Sequence, residues 1–144
     1  IMYAQATFFI GLSLIRNLAV TPSYRAPLCR CKIKDIIKKF RYWSDHCPNN
    51  FEYCLYLLEA ELATLKNQWE MAKLLYIAAI QSAKDNKNTQ ILAMASEGYA
   101  KYYLKKGNTE KYIEKLSIAK GHYENWGAMA KAQQIEDQVL AKKS

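Results

Sequence analysis

Residues 60–79 read AELATLKNQWEMAKLLYIAA and residues 100–119 read AKYYLKKGNTEKYIEKLSIA, and the two stretches share one pattern at an offset of 40 residues. In each stretch a small residue lies within a first helix, an Asn or Gly marks a turn, and large and small residues follow in a second helix. The pairs that carry the pattern are Ala60 with Ala100, Asn67 with Gly107, Ala72 with Tyr112, Tyr76 with Leu116, and Ala79 with Ala119. Small residues let the two helices of a hairpin approach each other, so the pattern predicts repeated helix hairpins.

The rest of the chain fits the same all-α architecture. It has 144 residues with only five Gly and three Pro, which predicts one nearly all-helical domain over residues 1–144. We expect three antiparallel hairpins stacked as a self-sufficient array with a C-terminal capping helix. The hairpins are predicted at about 3–47, 51–85 and 90–125, and the capping helix at about 128–141. Residues 20–30, with Pro22 and Pro27, are predicted to be a loop, so that the next helix starts at residue 31.

The array resembles tetratricopeptide repeats, although its hairpins are longer than the usual period of about 34 residues. From Phe51 to about Glu136 the chain resembles, more narrowly, a helical-repeat region of large multidomain sensor kinases. Those proteins join this region to serine/threonine-kinase-like, P-loop ATPase, GAF and histidine-kinase domains. The residues that carry the resemblance include Leu58-Glu59-Ala60-Glu61-Leu62-Ala63, Trp69-Glu70-Met71-Ala72, Ala93-Met94-Ala95-Ser96-Glu97, Ala100-Lys101-Tyr102-Tyr103-Leu104, Gly107, and Tyr123 with Trp126-Gly127-Ala128-Met129-Ala130-Lys131.

The resemblance implies a connector or scaffold between catalytic domains, with no catalysis of its own. The chain starts with Ile rather than Met, and we interpret it as a fragment of a larger protein. One departure from the family pattern is Gly98, where a larger apolar residue would be usual. That glycine is expected to loosen its helix by about 1 kcal/mol relative to Ala.

A partner-binding groove is expected on the first helix of each hairpin, which would line the concave surface of the array. The positions predicted to point into it are Cys54, Leu57, Glu61, Leu65, Met94, Glu97, Lys101, Leu104 and Lys105. A groove that mixes apolar and charged groups suits a peptide or a partner helix. Glu97 and Lys101 are spaced i, i+4 in the favourable order, which predicts a surface ion pair.

The chain is basic, with 21 Lys and Arg against 13 Asp and Glu and a formal net charge of +8. Part of the excess forms a local basic patch of Arg30, Lys32, Lys34, Lys38, Lys39 and Arg41. The simplest interpretation is a solvated helix face. The alternative is a surface for nucleic acid or another polyanion that uses residues 25–41 and 101–120, which would lose affinity steeply as salt rises. The numerous aromatic residues lie at helical spacing and indicate a core rather than a platform for stacking bases.

The sequence offers no constellation for catalysis or for a cofactor. The cysteines at 29, 31, 47 and 54 are interpreted as reduced thiols in a cytoplasmic protein. Cys29 and Cys31 with His46 and Cys47 could supply four zinc ligands, but the spacing is tight and adjacent residues rarely face one ion, so no metal site is predicted. The apolar segment 1–15 is too short to span a membrane. We therefore predict a non-catalytic module for protein–protein interaction or interdomain scaffolding in a signalling protein.

Overall fold

The computed structural model describes residues 2–144, and this part of the chain contains seven α-helices and no strand. The helices are α1 (Met2–Asn17), α2 (Ala26–His46), α3 (Pro48–Leu65), α4 (Trp69–Asp85), α5 (Thr89–Lys105), α6 (Thr109–Trp126) and α7 (Met129–Lys143). A short 3-10 helix, Leu18–Val20, follows α1. The all-α prediction is confirmed. Among residues 2–144, no helix has the length and apolar content needed to cross a membrane.

Two helices begin earlier than the sequence predicted, and both begin with proline in the first turn. The loop prediction for 20–30 is wrong after residue 25, because α2 starts at Ala26 with Pro27 next to it. Likewise α3 starts at Pro48 rather than at residue 51, and only Cys47 separates it from α2. The first N–H groups of a helix have no intrahelical acceptor, so a proline there loses no hydrogen bond.

The later helices are joined by one turn that recurs every 20 residues. Its central residue has a left-handed backbone in each case, with φ of 59° at Asn67, 56° at Lys87, 75° at Gly107 and 90° at Gly127. The next residue donates its N–H to the carbonyl five positions earlier, which is the Schellman arrangement. The pairs are Gln68 to Ala63 (2.8 Å), Asn88 to Ala83 (2.8 Å), Asn108 to Tyr103 (3.0 Å) and Ala128 to Tyr123 (2.9 Å). The offset of 40 in the sequence is therefore two helix-turn units.

The helical positions of the sequence repeat are all buried, as the pattern predicts. They are Ala60, Ala72, Tyr76, Ala79, Ala100, Tyr112, Leu116 and Ala119. The expected hairpin packing is consistent with this burial, while the tetratricopeptide-like arrangement of the hairpins stays a prediction. The contacts of the chain fall into two compact units, Ile1–Leu75 and Tyr76–Ser144, with the boundary inside α4. The single domain predicted over 1–144 also stays a prediction.

In the first unit, α3 packs against both α1 and α2. Phe40 of α2 makes edge-to-face ring contacts with Phe8 at 6.3 Å, with Trp43 at 5.0 Å and with Phe51 at 6.3 Å between ring centroids. Such aromatic pairs add to the stabilisation from buried area. They fix α1, α2 and α3 as one bundle.

In the second unit, α6 packs against both α5 and α7. Its core joins residues of all three helices: Ala93, Ala100, Tyr112, Leu116, Tyr123, Ala132, Ile135 and Val139. The predicted capping helix, now α7, therefore covers the last hairpin with an apolar face.

Gly98 of α5 has a packing reason in this unit. A Cβ atom at position 98 would lie 2.2 Å from Cε1 and 2.5 Å from Cζ of Tyr76. The departure from the family pattern at Gly98 is explained by this contact, because the ring of Tyr76 already occupies the space that a larger residue would need.

Candidate partner-binding pocket

The predicted groove divides into residues that are exposed and residues that the fold uses for itself. Leu57 is fully buried, with 0% of its surface exposed, so it belongs to the core and its assignment to a binding surface is wrong. Glu61 pairs with Arg16 across 3.1 Å. Cys54 is partly buried, and burial raises the pKa of its thiol to about 12. A thiol with so high a pKa is inert near neutral pH.

Glu97 is also an internal group rather than a groove residue. It is 8% exposed, and its carboxylate accepts a hydrogen bond from the Tyr123 hydroxyl at 2.8 Å. Lys131 of α7 approaches the same carboxylate to 3.0 Å, and the predicted partner Lys101 lies at 3.8 Å. The predicted ion pair is present, but the role of Glu97 is to join α5, α6 and α7.

The remaining groove positions of the second unit are mixed. Met94 packs against the core cluster of this unit. Lys101, Leu104 and Lys105 are exposed on α5. The second unit thus keeps three of its five predicted groove residues at the surface.

The aromatic residues of α5 are covered by lysines of the same unit. The hydroxyls of Tyr99 and Tyr103 lie 3.0 Å apart, and burial followed by this contact raises the pKa of Tyr99 to about 12. The ammonium groups of Lys115 and Lys111 lie over the two rings, at 5.9 Å and 5.4 Å from the centroids. These rings make internal cation–π contacts and do not form an open platform for bases.

A pocket of about 780 Å³ opens in the first unit, between the segment after α1, the first turns of α2 and the last turn of α3. Its apolar lining comes from Leu18, Ala19, Ala26, Ile33, Leu62 and Leu65. Thr21 and Ser23 line the side formed by the connecting segment. The early start of α2 helps to create this pocket, because it places Ala26 in a helix close to the end of α1.

Three cations also line the pocket: Arg30 and Lys34 from α2, and Lys66 at the end of α3. The structure therefore brings together Leu65 of the predicted groove and two members of the predicted basic patch. The other members of the patch lie outside the pocket lining. Lys32 and Lys38 are exposed elsewhere on α2, Lys39 donates to the Tyr3 hydroxyl at 3.2 Å, and Arg41 pairs with Glu59 at 2.7 Å.

No carboxylate balances the charge of the pocket. Within residues 2–144, Asp and Glu are absent from its lining, and Arg30, Lys34 and Lys66 make no ion pair. The nearby acids of α3 are engaged elsewhere, Glu59 by Arg41 and Glu61 by Arg16. The pocket thus combines an apolar interior with three positive charges that have no intramolecular counter-ion.

Sequence reasoning missed Lys66, Leu62 and residues 18–23 as parts of one site. Lys66 gave a usable signal, because it is a cation in a turn without an acidic residue at the i−3 or i−4 position. The contribution of residues 18–23 could not be seen, because the sequence does not fix where this connecting segment folds back.

The cysteine and histidine side chains considered for zinc are far apart. Cys29 and Cys31 lie near the start of α2, whereas His46 and Cys47 lie at its end, about 25 Å away at 1.5 Å per residue. His46 contacts the Tyr42 carbonyl of its own helix at 2.8 Å. Among residues 2–144, no three His, Cys, Asp or Glu side chains are grouped to hold an ion.

Comparison of the chain with protein-family models, with curated proteins and with solved structures gives no match.

Proposed function

We propose that this chain is a non-catalytic module that binds a segment of another protein, or of a neighbouring domain of the same polypeptide, at the pocket of the first unit. The observation that carries the proposal is the pocket itself, in which Leu62 and Leu65 face the same space as three unpaired cations. Pockets that bind ligands are concave and mostly apolar, with a few polar groups that fix orientation.

The recurring helix-turn units that begin with α3, whose last turn lines the pocket, support this proposal. Recurrent helix-turn units present extended surfaces for partners, because each unit contacts only its neighbours and leaves one face free. The resemblance to the helical-repeat region of sensor kinases favours a tetratricopeptide-like array and a role in signalling as a connector between domains. The interpretation of the four cysteines as reduced thiols favours a cytoplasmic location.

Binding of nucleic acid is the second candidate function, and the exposed Lys32 and Lys38 favour it. Two observations weigh against it. The rings of Tyr99 and Tyr103 are covered by lysines, and no aromatic residue lines the pocket in the described part of the chain. Single-stranded nucleic acids are bound largely by stacking on exposed aromatic rings.

Affinity capture from host-cell lysate with the tagged chain tests the proposal. The capture is made at physiological salt, with and without nuclease. Ser23→Trp places an indole at the edge of the pocket, on an exposed residue that lines it. Ser117→Trp is the matched control, because Ser117 is exposed on α6, away from the pocket lining.

We expect a defined protein that survives nuclease, is retained by Ser117→Trp and is lost from Ser23→Trp. If nuclease treatment removes the captured material, the polyanion-binding alternative replaces the proposal. Equal capture by both variants would show that the pocket is not the site.

A further inference from the structure

We infer that the pocket of the first unit takes an acidic amphipathic peptide segment, with an apolar side chain inside and carboxylates against Arg30, Lys34 and Lys66. This inference rests on the proposed function, because it names the chemistry of the partner at the same site. Three features of the pocket carry it: the apolar interior, the placement of the cations and the pairing of the neighbouring charges.

The interior of the pocket favours an apolar side chain of the partner. Ile33 is buried in its wall, and Leu62 and Leu65 of α3 line the same space. A volume of about 780 Å³ falls within the range of about 300–1,000 Å³ that is usual for ligand pockets. It has room for more than one side chain, which suits the apolar face of a peptide better than a single small group.

The placement of the cations favours several carboxylates rather than one. Arg30 and Lys34 are one helical turn apart on α2, so their Cβ atoms are separated by about 6 Å. Lys66 lies at the end of a different helix, α3. A fatty acid carries one carboxylate and would leave most of this charge unbalanced. Acidic side chains along a peptide match cations that are spread over two helices.

The pairing of neighbouring charges shows which cations are available. Arg16 and Arg41 lie in the same unit but are already held by Glu61 and Glu59. The guanidinium of Arg30 has no such partner among residues 2–144, and it presents a planar set of donors that matches a carboxylate in two-point contact. Three of the cations in this unit that lack an ion pair among residues 2–144 therefore line the pocket, while Lys32 and Lys38 lie exposed elsewhere on α2.

The test uses the full chain and fluorescence anisotropy with labelled peptides built from Glu-Leu-Leu-Glu blocks. One matched peptide replaces every Glu with Gln, and another replaces every Leu with Ala. A labelled long-chain fatty acid and a labelled single-stranded oligonucleotide serve as the other probes. We expect the Glu-Leu peptide to bind about tenfold or more tightly than either matched peptide, because each lacks one of the two kinds of contact.

A pair of double variants locates the binding site. Arg30→Gln/Lys34→Gln removes two charges that line the pocket, and Lys32→Gln/Lys38→Gln removes two exposed charges of the same helix that do not. We expect the first to weaken binding of the Glu-Leu peptide by about tenfold or more. We expect the second to change it by less than about twofold, because neither Lys32 nor Lys38 lines the pocket and exposed ion pairs outside it contribute little. Circular dichroism confirms that both variants fold, and Ser23→Trp provides an independent block of the pocket.

Equal losses from the two double variants would overturn the inference, since the attraction would then be spread over the whole helix. Binding of the Ala-substituted peptide as tightly as the Leu peptide would also overturn it. So would tighter binding of the fatty acid or of the oligonucleotide at the same residues. If a protein is captured in a Ser23→Trp-sensitive way but the acidic peptide does not bind, this inference fails and the proposed function stands. If the Glu-Leu peptide does not bind and capture is equal from Ser23→Trp and Ser117→Trp, the inference and the proposed function both fail.

Discussion

Gly→Ala is expected to have opposite effects on stability at Gly98 and at Gly121, because only Gly98 lies against the Tyr76 ring. Ala has a better helix propensity than Gly by about 1 kcal/mol, so Gly→Ala inside a helix normally stabilises. Gly121 of α6 is such a position, since a Cβ atom there meets nothing within 4 Å. At Gly98 of α5 the new Cβ would lie 2.2 Å from the Tyr76 ring, well inside a normal carbon–carbon contact of about 3.5–4.0 Å.

The ring of Tyr76 has little freedom to move away, because only 2% of its surface is exposed. Inserting a methyl group into a packed core costs about 1–3 kcal/mol, and an overlap with three ring atoms belongs at the upper end of that range. After the gain in helix propensity, Gly98→Ala should lower the free energy of unfolding by about 2 kcal/mol. Gly121→Ala should raise it by about 1 kcal/mol.

Urea unfolding followed by circular dichroism measures both variants, and the midpoint shifts should have opposite signs. The pair Tyr76→Leu and Gly98→Ala forms a double-mutant cycle that isolates the contact. Tyr76→Leu alone should destabilise, but in its background Gly98→Ala should be neutral or stabilising, because the ring that it overlaps is gone. If Gly98→Ala stabilises the wild type as much as Gly121→Ala does, the packing argument is refuted.

Three further predictions concern the turns and one histidine. Lys87 has φ of 56°, so Lys87→Gly should raise the free energy of unfolding by about 1 kcal/mol, whereas Gly107→Ala, at φ of 75°, should lower it by a similar amount. Thermal unfolding in which both midpoints shift in the same direction would contradict the left-handed backbone assigned to these two residues. Ala128 is the N-cap residue of α7 and provides no side-chain hydrogen bond, so Ala128→Asn should raise the free energy of unfolding by about 1 kcal/mol. An unchanged free energy in denaturant unfolding would contradict a capping geometry at this position. Burial, and then the charge of Lys84, lowers the pKa of His122 below 6.5 in the folded chain. His122 therefore binds a proton more readily in the unfolded chain than in the folded chain, and the free energy of unfolding falls as the pH drops below 6.5. His122→Gln should reduce this dependence of stability on pH. Lys84→Gln should raise the pKa of His122 in an NMR titration, and an unchanged pKa would contradict the contribution of Lys84.

The helices and their buried faces were predictable because the chemistry that fixes them is local. The apolar positions of the repeat recur at helical spacing, and all of them are buried. The recurrence of the turn at 20 residues was hidden, because a left-handed residue is Asn at 67 and Lys at 87 but Gly at 107. The starts of α2 and α3 were misplaced because Pro27 and Pro48 are compatible with both a loop and a first helical turn.

The candidate site was only partly predictable, because it depends on which charges find partners after folding. Helical spacing indicates which residues share a face, but not whether that face is covered. Leu57 and Glu97 lie at spacings that a groove would use, yet one is in the core and the other is held by Tyr123 and Lys131. Periodicity cannot distinguish a concave surface from a surface on which another helix packs.

The charge of the first unit shows why a basic composition alone says little about the partner. Arg41 belongs to the same basic stretch as Arg30, but Glu59 neutralises it in the folded chain. Arg30, Lys34 and Lys66 keep their charge unpaired within residues 2–144, and they do so beside an apolar pocket. Phosphate backbones require positive charge along a path, whereas these cations surround a depression lined by Ile33 and leucines. The folded arrangement therefore favours a ligand that is both acidic and apolar, which composition could not have distinguished from a nucleic acid.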